Sequence, residues 1–426
     1  MSTQSSSSSS STGTNTAGAL TLFKGTLVLP DSLLPKGAVL VRDGVIAWVG
    51  QASKLPAQID DVIGRPDAIA SITTTIDVGH DYISPGFVDI HTHGGGGADF
   101  MDATQQAMRT ANRAYAKHGT TTIYPTTTTG TPQQLVNMLD VSQAAMDHWQ
   151  VAEGARVGGV HWYGPYFATD KVGAHPKGYE RHPDPSEYEP ALARGIIKSA
   201  TCAAELPGAV DFCKAATAAG CLVTCGHSNA SWSEMAAAYD AGLRHVDHFW
   251  NAMSSTDTIR KRLGSPQQGS MAEFVLYHQE MSTEVIADGH HHAPEMHQFA
   301  YRMLGPDRLV LVSDCSRAMD MPAGEYRIGH HETGELFLSN EECGTLLDGV
   351  TLASSALPIE HMVRIFARDT GSPLYEVIRM ASLTPARLVH ADDCCGSLAA
   401  GKRADIAILS KSLHVQQTYL AGQKFE

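Results

Sequence analysis

The 426-residue chain has no apolar run of transmembrane length, and its N-terminus has no basic-then-apolar pattern of a secretory signal. A cytoplasmic location is expected from both absences. Basic residues are scarce: 31 Lys and Arg stand against 45 Asp and Glu, for a net charge of −14. That balance argues against nucleic acid or an anionic membrane as partner, while leaving room for a local basic pocket. The eight cysteines, Cys202, Cys213, Cys221, Cys225, Cys315, Cys343, Cys394 and Cys395, lack a paired CxxC…CxxC zinc layout. In an unsignalled chain of this size they read as reduced thiols. There is no repeat of solenoid period. The four glycines at 94–97 are not followed by Lys-Ser/Thr, so they are not a phosphate-binding P-loop. They either let backbone approach a ligand closely or form a plain flexible loop.

Hydrophobic residues make up 43% of the chain, enough for a large core. Residues 1–18 are a serine-rich tail that cannot bury enough apolar surface to offset its ordering entropy, and disorder is expected there. Short strand-like runs follow over 19–84, including "GAVLVRDGVIAWVG", where Asp43-Gly44 between apolar runs is a hairpin signal. After Pro85, apolar runs such as "GFVDIHTH", "TTTIYPT", "VGGVHWYGP", "AVDFC", "LVTCGHS", "HVDHFW", "STEVIADG" and "RLVLVSD" read as strands. Helix-like stretches such as "TQQAMRTANRAYAKHG" and "SWSEMAAAYDAG" lie between them. About eight such units suggest an α/β fold, a TIM-like (β/α)8 barrel over 85–388. Short strands return over 389–426, and the two terminal segments are expected to build one small β domain together.

Twenty-one histidines direct the search for chemistry. His91 and His93 close one strand-like run; at i and i+2 of a strand both imidazoles face the same side. His227, His248 and Asp314 close three others. Each alone has an ordinary reading, as a hydrogen-bonded strand-end histidine or a turn-capping carboxylate. His118 and His245 are read in that ordinary way. Together, four histidines and an aspartate at strand ends, gathered by a barrel around one axis, suit zinc or a similar divalent ion.

The segments "PGFVDIHTHGGGGADFMD", "KHGTTTIYPTT", "GPYF…VGAH", "GHSNAS", "HFWNAMS", "IADGHHH", "LVSDCSRA", "PAGEYRIG", "MASLTPAR" and "GSLAAGKRADIAIL" occur in an order and spacing that resemble the amidohydrolase superfamily. Within it, the chain looks like the N-acetylglucosamine-6-phosphate deacetylases from about residue 20 to the C-terminus. The resemblance implies a TIM-like barrel beside a β-sandwich made from both chain ends, and a homodimer. It implies metal binding by His227 and His248, with His91 and His93 as the superfamily's HxH pair, and catalysis by Asp314. It further implies substrate contacts from His175, His291, Asn251 and Ala252. The implied reaction is metal-assisted removal of an N-acetyl group from an amino-sugar phosphate.

Two departures from that pattern matter. Tyr163, in "GVHWYGPYF", stands where the similar deacetylases carry a metal-ligating glutamate, and a phenol with a reference pKa of about 10 is a poor replacement. The expectation is therefore one zinc per chain, held by His91, His93, His227 and Asp314, with His248 near the attacking water. Tyr163 is placed against substrate, and Glu205 is an alternative source of the missing carboxylate. The second departure follows "NAMS", where Arg262, with Arg260 and Lys261 beside it, is the nearest match to a phosphate-binding arginine. These departures keep alternatives open: another N-acyl substrate, a deamination, or a sugar-phosphate-binding homologue with impaired catalysis.

Overall fold

Residues 19–426 are described by a computed structural model, and the serine-rich stretch 1–18 lies outside them. The alternation after Pro85 appears as parallel strands joined largely by helices. Phe87–Thr92, Thr120–Pro125 and Arg156–Val157 form a three-stranded parallel sheet. Val160–Trp162, Ile197–Thr201, Leu222–Cys225, Leu243–Val246, Ser282–Val285 and Leu309–Leu311 form a six-stranded one, in which order across the sheet is order along the chain. A parallel bridge between Thr126 and His161 links the two sheets. Gly158 sits at their junction, where a Cβ would lie 2.7 Å from the Tyr124 ring. At the other end, the Asp314 N–H donates to the His91 carbonyl and the His93 N–H to that of Cys315. Every position of Phe87–Thr92, Thr120–Pro125 and Ser282–Val285 is buried, as expected of strands covered on both faces.

The helices start where side chains can satisfy their first free N–H groups. Thr104 caps Gln105–Lys117, and capping boxes of Thr131 with Gln134 and Ser231 with Glu234 open Pro132–Asp147 and Trp232–Asp240. One expected strand is a helix: "AVDFC" opens Ala209–Ala218. Its buried residues, Ala209, Phe212, Cys213 and Ala216, follow the i, i+3, i+4, i+7 spacing of a helix face. The strand of that unit is Ile197–Thr201, which its polar residues, Lys198 and Ser199, concealed.

The terminal segments share one seven-stranded sheet. Its order is Gln423–Lys424, Val415–Leu420, Ile406–Leu409, Ile72–Pro85, Leu20–Leu29, Ser32–Arg42 and Val45–Gln51. The Asp43-Gly44 hairpin is present: Arg42 pairs with Val45, and the two turn residues have φ of 51° and 79°. Both are left-handed, as a twist-matched two-residue turn demands. A four-stranded antiparallel sheet, Gly324–Ile328, Glu335–Ser339, Cys343–Leu346 and Leu352–Ser355, follows the last parallel strand and was not foreseen. All eight cysteines are free. Among the described residues no helix is long and apolar enough to cross a membrane.

Candidate metal and substrate site

The five expected ligands stand just beyond the C-terminal ends of parallel strands or on their last residues. Three take backbone conformations that side-chain-bearing residues avoid: φ is 47° at His227, 21° at His248 and 46° at Asp314. Strain of this kind persists only where surrounding structure enforces it, and it clusters at functional sites. At Gly226 a Cβ would lie 2.3 Å from the Asp247 carboxylate, so glycine lets these two strand ends close on each other.

His91, His93 and Asp314 offer ligand atoms all within 4.8 Å of one another. His93 Nε2 is 3.3 Å and His91 Nε2 3.8 Å from Asp314 Oδ1. His227 and His248 lie outside that trio and form a second pair, with Nε2 atoms 3.2 Å apart. Tetrahedral zinc with bonds of about 2.0–2.1 Å spaces its nitrogen ligands by about 3.3 Å, so these separations fit such an ion. His227 Nδ1 donates to the Lys171 carbonyl at 2.6 Å, which leaves the Nε2 lone pair facing His248. His91 Nε2, His93 Nδ1, His175 Nδ1 and His248 Nδ1 are buried without a protein partner. Each such group costs about 1–3 kcal/mol if left unsatisfied, and several in one place fit a ligand-binding centre.

Tyr163 is fully buried beneath this group. Its hydroxyl is hydrogen-bonded to His248 Nε2 at 2.5 Å, and its ring centroid is 4.5 Å from that of His91. It is absent from the lining of the cleft, contrary to its placement against substrate. Burial, then the charges of Asp247, Asp314 and Glu284, push its phenol well above the ordinary range. Glu205 is not brought to the histidines either; it accepts from the Ser228 hydroxyl and the Asn229 N–H. Two carboxylates that sequence reasoning missed are there instead. Glu284 contacts His91 Nδ1, and Glu284, Asp247 and His91 form a second buried cluster within 4.8 Å.

The electrostatics separate the roles. Burial pushes the Asp314 carboxyl up, but the hydrogen bond from His93 and the charges on His91 and His93 outweigh it and hold it well below the usual range. Burial, then His248, keeps His227 far below its usual value; burial and His91 lower His248 to about 4. Burial also opposes charge on His91, yet Glu284 outweighs it and raises that imidazole to about 9.

A cavity of about 290 Å³ opens over the pair His227 and His248 and reaches Asp314, His175, Asn251, Ala252 and His291. Of the three consecutive histidines, His290 pairs with Glu342 and His292 turns toward the Ile286 carbonyl. His291 alone lines the cavity, with Nδ1 held by Asp288 at 2.7 Å. Ile328, Leu352 and Ser354 of the unforeseen sheet, with the adjoining Thr351, close the far wall. Arg262 is elsewhere: it binds Glu234 through both terminal guanidinium nitrogens and faces a neighbouring hollow. Lys171 is the only Lys or Arg in the cavity lining, and no ion pair engages it among the described residues.

Residues 82–424 match the family model described as the amidohydrolase family. The chain is 31% identical over 366 residues to the N-acetylgalactosamine-6-phosphate deacetylase of Escherichia coli O157:H7, covering 85% of this chain and 92% of that one. It is 31% identical over 360 residues to the N-acetylglucosamine-6-phosphate deacetylase of Homo sapiens, covering 82% and 84%. The solved N-acetyl-D-glucosamine-6-phosphate deacetylase from Mycobacterium smegmatis, in complex with N-acetyl-D-glucosamine-6-phosphate, superposes with a TM-score of 0.83 at 27% identity. That match covers 96% of this chain and all of the other.

Proposed function

The chain belongs to the amidohydrolase family, and from that premise we propose that it removes the acetyl group from N-acetylglucosamine 6-phosphate or a close amino-sugar phosphate such as the galacto isomer. The observation that carries this reading is Asp314: an ionised carboxylate between two histidines, opening on a cleft lined by His175, His227, His248, Asn251 and His291. The two parallel sheets are taken as one closed (β/α)8 barrel over 85–388, with 19–84 and 389–426 as a β-sandwich-like second domain. A cytoplasmic homodimer fits the same kinship.

His91, His93 and Asp314, whose ligand atoms lie together, and His227 of the adjoining pair are the residues that would hold one zinc ion, with His248 beside it. When bound, such an ion polarises the acetyl carbonyl and acidifies the attacking water. Asp314 accepts the proton of that water and passes it to the departing amine; its depressed pKa keeps it ionised for the first step. His291, fixed through Nδ1 by Asp288, turns its other nitrogen to the cleft and stabilises the developing oxyanion. Tyr163 holds the His248 imidazole from below. Asn251, Ala252 and His175 shape the sugar subsite, and Lys171 takes the phosphate in place of Arg262.

The test is acetate release by zinc-loaded protein from N-acetylglucosamine 6-phosphate and N-acetylgalactosamine 6-phosphate, with both unphosphorylated sugars alongside. Turnover of a phosphorylated sugar alone is expected. No turnover from protein that retains zinc overturns the reading and directs the screen to other acyl-amines and to deamination, for which the neutral Tyr163 is the reason.

A further inference from the structure

We propose that Glu284 is a positioning residue that orients His91 for metal binding and places a buried negative charge behind it. The proposal rests on the metal-centre reading above. Glu284 lies inside the Ser282–Val285 strand and is 1% exposed. A carboxylate there is costly unless it is paired and hydrogen-bonded. One oxygen contacts His91 Nδ1 and accepts the backbone N–H of His248 at 3.1 Å; the other lies 3.3 Å from His245 Nε2. Both oxygens are thus committed to protein donors, and Glu284 acts through its neighbours.

The contact with His91 has a directional consequence. With Nδ1 donating to the carboxylate, Nε2 carries the lone pair, and that Nε2 is the buried nitrogen without a protein partner, 3.8 Å from Asp314. The contact with the His248 backbone ties the same carboxylate to a second strand end. Charge points the same way. With a metal bound, three uncharged imidazoles and one carboxylate would leave a dication half-neutralised in a buried site. Tyr163, whose ring packs against His91, contributes a neutral phenol. A carboxylate behind the ligating imidazole raises its basicity and fixes its tautomer.

The experiment measures zinc affinity of the full chain by competition with a chromophoric chelator, independent of turnover. Glu284→Gln is expected to weaken binding by about 10- to 100-fold. Glu284→Asp, which keeps the charge, is expected to lose less. Adding Tyr163→Glu to Glu284→Gln is expected to recover most of the loss by returning a carboxylate beside His91. A folded Glu284→Gln protein with wild-type affinity overturns the proposal, as does equal loss in the Gln and Asp variants. Nitrogen-15 NMR of the zinc-loaded wild type needs no variant: an Nδ1–H tautomer at His91 supports the proposal and an Nε2–H tautomer overturns it. Wild-type protein that fails to bind zinc sinks the metal-centre reading itself, and this inference with it. Wild-type binding and turnover alongside an unaffected Glu284→Gln sinks this inference alone.

Discussion

Two histidine environments in this molecule are opposites. His118, at the end of the Gln105–Lys117 helix, is gripped on both ring nitrogens by carboxylates, Glu360 and Asp320, each at 2.8 Å. Burial works against its charge, but those two partners outweigh it and raise it to about 9. His227, His248 and His175 are packed instead against one another and against Tyr163, and burial with mutual repulsion depresses all three. The first environment is complete as folded. The second is a set of imidazoles held neutral, several with an unpartnered nitrogen, which on the proposed reading a cation and a substrate complete. Burial is common to both, and the partner chosen for each ring nitrogen decides whether an imidazole serves structure or chemistry.

The largest expected effect lies in the second environment. Asp314→Asn should lower the rate of acetate release by about 10²- to 10⁴-fold with the fold intact, because it removes the carboxylate proposed to carry the proton. Measured with circular dichroism as a control, an activity near wild type would remove Asp314 from the mechanism. Next, His227→Ala should abolish the rise in melting temperature on adding zinc, since only a ligand of the native state stabilises it. A full zinc-dependent rise would place the ion elsewhere. Lys171→Met should raise KM for the phosphorylated sugar by about tenfold, the worth of a charge-assisted hydrogen bond, and leave any turnover of the unphosphorylated sugar unchanged. An unaltered KM would return the phosphate to Arg262.

The smallest effect belongs to the first environment. His118→Gln should cost about 1 kcal/mol, discounted for partial exposure, without changing kcat. Its pH dependence has a definite sign. The folded pKa of His118 lies above the ordinary value of 6.5, so its contribution is complete below that value and fades as pH rises through about 9. Asp320 and Glu360 are both held below their usual values despite burial, so their contributions are lost as pH falls. Melting curves of His118→Gln should therefore converge on wild type toward pH 9 and above. A gap that persists there would show that His118 contributes through packing and a neutral hydrogen bond rather than through its charge.

Much of this division was legible in the sequence. His91, His93, His227, His248 and Asp314 could be singled out because each closes an apolar run, and His118 and His245, set aside as hydrogen-bonded residues, do make such bonds. Glu284 was hidden by the same logic: within "STEVIADG" the apolar neighbours signal a strand, and a strand reading pays no heed to a charge that only long-range partners can justify. Its signal was its own position, an acid where every neighbour is buried. Tyr163 was recognised as a departure, but which side of the site it occupies depends on the His248 contact, made across 85 residues. Arg262 was a candidate from its segment alone, and its engagement by Glu234 depends on the neighbouring Trp232–Asp240 helix. The sheet over 324–355 escaped because its strands, "GEYRI" and "ELFLS" among them, carry charged and exposed residues and form no apolar run.

The seven-stranded sheet carries a temporal consequence. Ile72–Pro85 pairs on one side with Leu20–Leu29 and on the other with Ile406–Leu409, and that second edge has no partner until the whole intervening chain exists. As the polypeptide emerges from a ribosome, the early strands must wait with an open, pairing-competent edge while the catalytic portion is still being made. The strand that shields it, Ile406–Leu409, follows the whole catalytic portion, so the vulnerable interval for misassembly lasts until that strand has emerged.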